Sequence, residues 1–185
     1  MRNTIAIPFV MAVLLAGCVP SLQPLYTDRE VVFDPALLGG WVDKGGEDKW
    51  VFSRSGDKNH YEVVNTRRGK SPGSFEGHLV QLGAYRFLDL YPTEPDIDNE
   101  TYKFHLIPAH SISRIWLEGD VLRVATLDQD WLWGNIKESK IQIAHERLDN
   151  SLLLTAPMAE LQKLVLRYAD DPKAFPDPSE FQRAK

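Results

Sequence analysis

Hydrophobic and polar positions follow two rhythms along this chain. From residue 49 onward, short runs alternate apolar and polar side chains and are separated by turn-forming residues at fairly regular intervals. Period-two alternation places every second side chain on one face, the pattern of a half-buried β-strand. It predicts strands at Lys49–Ser53, Tyr61–Asn65, Phe75–Gln81, Tyr85–Tyr91, Tyr102–Ile107, Ser111–Leu117, Val121–Leu127, Ile143–Arg147 and Leu152–Thr155. Glu118, Gly119 and Asp120 read as a tight hairpin between two of these, and Asp149 with Asn150 as a turn between the last two. In the stretch Tyr102–Ile107, Tyr102, Phe104 and Leu106 fall on one face, with Lys103 and His105 on the other.

The second rhythm is helical. Asp128 or Asp130 can cap a short helix near 130–138 through Trp131, Leu132, Trp133 and Ile136. Near 157–170, Met158, Leu161, Leu164, Val165 and Tyr168 share one face of an amphipathic helix that begins at Pro157 and stops at Asp171 and Pro172. Its polar face, with Glu160, Lys163 and Arg167, is not strongly basic, which favours packing on the domain over lying on a membrane. Earlier, Asp34 can cap a single turn over Pro35–Leu38 that Gly39 ends. The tail, with Phe175 and Phe181 among prolines, is expected to lie across the surface.

About 8–9 antiparallel strands with a late helix make the fold class mainly β, either a closed barrel or a sandwich, since a small all-β domain must dispose of its sheet edges. The domain spans residues 33–185. Ahead of it, residues 18–32 carry Pro20 and Pro24 with little periodicity and read as an extended tether, the alternative being that Leu22, Leu25 and Tyr26 pack on the domain.

The first residues are different again. Arg2 supplies a positive head, and an apolar run extends from Ile5 to Leu14. This is shorter than the roughly 20 residues a spanning helix needs and has the layout of an export signal. It ends in Leu15, Ala16, Gly17, Cys18, an aliphatic residue and two small ones before a cysteine. In this it resembles bacterial lipoprotein precursors, and phrases such as Phe33–Leu38 and Leu154–Pro157 are similar to small lipoproteins of bacterial genomes. The resemblance implies cleavage between Gly17 and Cys18, removal of residues 1–17, a diacylglycerol on the sulfur and a further acyl chain, such as palmitate, on the new amino group. It also implies a lipid anchor in the cell envelope. In a Gram-negative bacterium, Val19 in place of Asp favours the periplasmic face of the outer membrane.

Composition agrees with an anchored domain that owes nothing to disulfides. Cys18 is the sole cysteine of the 185 residues, so stability rests on a core to which five Trp, eight Phe and six Tyr contribute. The formal net charge of −5 gives no general attraction to nucleic acid or to anionic headgroups. The lipid must do the anchoring.

Gly39, Gly40 and Trp41, directly after the one-turn helix, resemble the motif that opens the first strand of lipocalins. That resemblance implies a barrel closed at one end by Trp41, with a late arginine such as Arg147 packed over it. A ligand site for a small apolar molecule would then fall among residues such as Phe52, Phe87, Phe104 and Trp116.

Searches for reaction chemistry return no catalytic residues, no metal ligands and no cofactor. His105 and His110 flank Pro108 and would face opposite sides of a strand. His60, His78 and His145 are isolated in sequence. Asp96, Asp98, Asn99 and Glu100 lack the glycine and distal glutamate of a calcium loop. No phosphate loop or nucleophile elbow occurs, and nothing near Ser113 activates it. Arg67, Arg68 and Lys70 read as a solvated turn. The expectations are therefore ranked: a lipid-anchored binding module for a small apolar or amphipathic molecule, then an envelope protein that docks another protein, then an enzyme.

Overall fold

A computed structural model describes residues 18–56, 59–93, 95, 97–149 and 151–185. The export signal and Leu15, Ala16 and Gly17 of the cleavage motif lie outside the described residues, as do Asp96 and Asn150.

The strands are β1 (Pro20–Ser21), β2 (Val31–Val32), β3 (Gly39–Asp43), β4 (Asp48–Arg54), β5 (Tyr61–Arg67), β6 (Gly73–Leu82), β7 (Tyr85–Pro92), β8 (His110–Glu118), β9 (Val121–Thr126), β10 (His145–Leu148), β11 (Ser151–Leu154) and β12 (Ser179–Arg183). The α-helices are α1 (Glu100–Phe104), α2 (Gln129–Lys137) and α3 (Met158–Arg167), with a 3-10 turn at Pro35–Leu37. Strands β3 to β9 pair in sequence order, every pair antiparallel, and β12 lies between β9 and β3. Eight strands thereby close into an antiparallel barrel, which resolves the choice between barrel and sandwich. Closure removes the free edges that an open sheet would present.

Two strands outrun their neighbours and recruit extra pieces. β8 pairs β9 from Ser113 to Glu118, and its leading residues, His110 and Ser111, take up β1 instead. Parallel pairing of β1 with β11 then attaches the hairpin of β10 and β11. β6 pairs β5 as far as Gly77 and takes up β2 at Leu79 and Val80.

The chain builds two cores. One fills the barrel and contains Trp41, Phe52, Tyr61, Leu79, Leu122 and Phe181. Its density shows at Gly77, where a Cβ would lie 2.7 Å from Cγ2 of Val63 and 3.2 Å from Cδ2 of Leu90. The other lies outside the barrel, where Val80, Phe87, Ile112 and Ala125 meet Leu132 of α2, Leu152 and Leu154 of β11, and Leu161 and Val165 of α3. With both faces covered, four consecutive residues are buried in β6 (Gly77–Val80) and again in β7 (Phe87–Leu90). No described helix is long and apolar enough to cross a membrane.

Both predicted longer helices form. The Asp128 carboxylate accepts the Trp131 amide at 2.6 Å and caps α2, and α3 seats Leu161, Leu164 and Val165 on the outer core. Three expectations are corrected. The segment Tyr102–Ile107 is not a strand: the Asn99 side chain accepts the Tyr102 amide at 2.9 Å and starts α1, leaving Phe104 85 % exposed. Because β7 and β8 already pair directly through Leu90 and Ser111, α1 stands outside the strand ladder. The tail does not lie across the surface, since β12 closes the barrel and buries Phe181 inside it, while Phe175 enters the outer core. Residues 18–32 are no free tether either. Val19, Ser21 and Leu25 are buried, and Gln162 of α3 donates to the Leu25 carbonyl at 2.9 Å.

Candidate functional site

Trp41 sits fully buried in the barrel core, its indole Nε1 donating to the Leu37 carbonyl at 2.9 Å. Gly39, just ahead of it, has φ of +107°, a conformation that suits a residue without a Cβ. The arginine over Trp41 is Arg183, not Arg147. Pairing of β12 with β3 sets Arg183 beside Trp41, and its guanidinium lies 4.3 Å from the ring centroid. It also donates to the carbonyls of Leu38 at 2.8 Å and Ala36 at 2.6 Å, and to Asp120 at 2.8 Å. Arg147 instead stacks over Trp133 at 4.5 Å.

The four apolar residues expected to line a pocket are not brought together. Phe52 is buried inside the barrel and Phe87 outside it, against Phe175. Phe104 projects into solvent from α1. Trp116 lies on the outer face under the guanidinium groups of Arg114 and Arg123, at 4.5 and 5.8 Å. Cys18, the expected lipidation residue, forms an antiparallel bridge with Asp128, and partial burial raises its thiol pKa.

What the fold does assemble is a cluster of imidazoles and carboxylates on the outer wall. Strand alternation points Phe75, Gly77 and Leu79 inward on β6, which turns Glu76 and His78 outward on one face. Asp89 pairs directly across from His78 on β7. His60 immediately precedes β5, and His110 opens β8. The His60 and His78 rings are 5.1 Å apart, and their Nε2 atoms lie 4.0 and 3.5 Å from oxygens of Glu76. One ligand atom from each of the three residues falls within 4.8 Å of the others.

Next to them Asp89, with no exposed surface, holds two partners: His110 Nδ1 at 2.7 Å and the Leu25 amide, which donates at 2.8 Å. The N-terminal segment roofs the cluster, with the Tyr26 ring stacked on His78 at 4.1 Å. Burial pushes the His78 pKa down, partly opposed by the charge of Glu76. Burial also raises the Tyr26 phenol well above its usual value, and the charges of Asp89 and Glu76 add to the effect. His78 Nδ1 is buried with no hydrogen-bond partner among the described residues.

Sequence reasoning missed this grouping because it depends on strand register. The only local signal was the spacing of Glu76 and His78, two apart on an alternating strand. The histidines weighed as a pair, His105 and His110, sit on different elements, His105 at the end of α1 and His110 on β8.

A second feature is a groove of about 540 Å³ between residues 140–144 and α3. Ile141, Ile143, Leu164 and Tyr168 supply its apolar floor, and Lys140, Lys163 and Arg167 its cationic rim, against a single acid, Glu160. Comparison with protein-family models, with curated proteins and with solved structures returns no match.

Proposed function

We propose that this chain is a bacterial envelope lipoprotein, anchored through lipid on Cys18 after removal of residues 1–17, that binds a small amphipathic molecule with an anionic headgroup. The observation that carries the binding half is the groove beside α3. Its volume falls within the range of roughly 300–1,000 Å³ typical of small-molecule sites. An acyl chain would lie along Ile141, Leu164 and Tyr168, removing apolar surface from water. Its headgroup would meet the rim cations, of which neither Lys163 nor Arg167 forms an ion pair with a described residue. The barrel interior is a poorer home, since Trp41, Phe52 and Tyr61 already occupy it.

Membrane attachment would bring such a protein to its ligand. The proposed location is the periplasmic face of the outer membrane, with the membrane itself as one partner and no role for nucleic acid. Cys18→Ser removes the acceptor sulfur and is expected to release the protein from membranes and abolish its labelling by palmitate. Retention of full membrane association would sink the anchor.

For the groove, the test is titration of the full chain in detergent with a fluorescent long-chain fatty acid. Reversing the rim with Lys163→Glu and Arg167→Glu should weaken binding by roughly tenfold or more, which is ~1.4 kcal/mol. Equal affinity in that variant would remove the groove from consideration.

A second reading, docking of another envelope protein, is favoured by one patch: Tyr102, Phe104 and Ile107 on and after α1 are 59, 85 and 78 % exposed. Exposed apolar side chains gathered in one place mark contact surfaces more often than isolated ones do.

A further inference from the structure

We propose that His60, Glu76 and His78 form a binding site for a divalent transition-metal ion of the zinc class. The site is independent of the α3 groove. Zinc is held by imidazole nitrogen and carboxylate oxygen at about 2.0–2.2 Å in tetrahedral geometry, so neighbouring donors stand roughly 3.3 Å apart. The donor atoms here already lie within 4.8 Å of one another, and the His78–Glu76 separation is 3.5 Å. Small rotations about side-chain bonds therefore close the set without moving the barrel wall.

The surroundings favour a cation. Glu76 supplies one negative charge within the set, and the Asp89 carboxylate adds another from the neighbouring strand. Both imidazoles are only 8 % exposed, so their attraction to a bound ion is weakly screened. His78 is held in place by Tyr26 stacked on its face. Glu76, by contrast, remains 47 % exposed at its side chain, which gives an ion an entry path from solvent.

Ligand type sets the selectivity. Two nitrogens and one oxygen suit zinc, copper, nickel or cobalt, whereas magnesium and calcium prefer all-oxygen shells. Three protein ligands leave a fourth position for water or an exogenous donor, the arrangement of an open site. Asp89 and His110 stand beside this set as a hydrogen-bonded pair and brace the wall that carries it.

The test is zinc titration by calorimetry of the full chain in detergent, stripped with chelator beforehand. One equivalent of Zn²⁺ should bind with micromolar or tighter affinity, and Mg²⁺ should give no heat. Cobalt substitution should produce the visible bands of a tetrahedral site. Glu76→Gln touches a partly exposed residue and is expected to fold normally while weakening zinc at least tenfold. His60→Gln should abolish stoichiometric binding, and His145→Gln, outside the cluster, should leave it unchanged. Absence of saturable zinc binding by the native chain would overturn the site. So would unaltered affinity in a folded Glu76→Gln protein.

Discussion

Arg183→Ala removes the side chain that ties β12 to Trp41 and to the turn ahead of β3, and its effect can be built from the contacts. The guanidinium donates to Leu38 and Ala36 carbonyls, spans 4.3 Å to the Trp41 ring and pairs with Asp120, itself 77 % exposed. The bond to Leu38 is part-buried, and a hydrogen bond from a charged donor is worth about 1.5–3 kcal/mol, of which the lower end applies to a side chain 30 % exposed. The bond to Ala36 is exposed and adds less, ~0.5 kcal/mol. Stacking on Trp41 contributes about 1 kcal/mol, and the Asp120 pair close to nothing. The sum is near 3 kcal/mol. At about 2–4 °C per kcal/mol for a chain of this size, the midpoint of thermal unfolding should fall by roughly 6–12 °C. Arg183→Lys keeps the charge but not the planar fork, and should lose about half as much. Urea unfolding followed by tryptophan fluorescence measures both variants. A loss below ~0.5 kcal/mol for Arg183→Ala, or an equal loss from Asp120→Ala, would refute the assignment.

Two further outcomes follow from other parts of the fold. Leu25 is fully buried in the outer core, so Leu25→Ala should destabilise the protein by about 2–5 kcal/mol, whereas a free tether would register almost nothing in the same urea experiment. The Asp43 carboxylate accepts the amides of Glu47 and Asp48 at 2.8 and 2.9 Å, and those hydrogen bonds, Asp48 foremost, hold its pKa below the ordinary value. A lowered folded pKa gives stability that is present above the unfolded value of about 3.9 and lost as pH falls through the folded one. The stability gap between wild type and Asp43→Asn should accordingly shrink as unfolding is measured from pH 5 down to pH 2, and a constant gap would count against it.

Sequence pattern was sufficient where one face of a strand meets a core and the other meets water. The alternation at Tyr61–Asn65 and the hairpin around Gly119 emerge as β5 and the β8–β9 turn. It failed where the signal was too thin or misleading. β3 opens on two glycines, and β12 offers one inward apolar residue, Phe181, between polar neighbours and close to Pro176 and Pro178. Tyr102–Ile107 alternates cleanly, yet β7 and β8 on either side of it pair with each other and the barrel closes without it.

The sites divide in the same way. The amphipathic face of α3 was visible as a period, but the groove also needs residues 140–144, which only the tertiary fold lays alongside it. His60 and His78 are brought together by β5–β6 pairing, with Tyr61 opposite Gly77. No local rule carries that long-range register.

The place of β12 also bears on the order in which the molecule can be finished. Synthesis delivers the chain from its amino end, so β3 and β9 both stand as open edges until Ser179–Arg183 has emerged. Their shared partner is the last of the described strands to be made, and β3 meets it across about 140 residues of chain. Long-range pairings of this kind form slowly, and an unfilled slot between two edges can accept the wrong strand from another molecule. Truncation by a handful of carboxyl-terminal residues would therefore leave a nearly complete wall with a seam that never shuts.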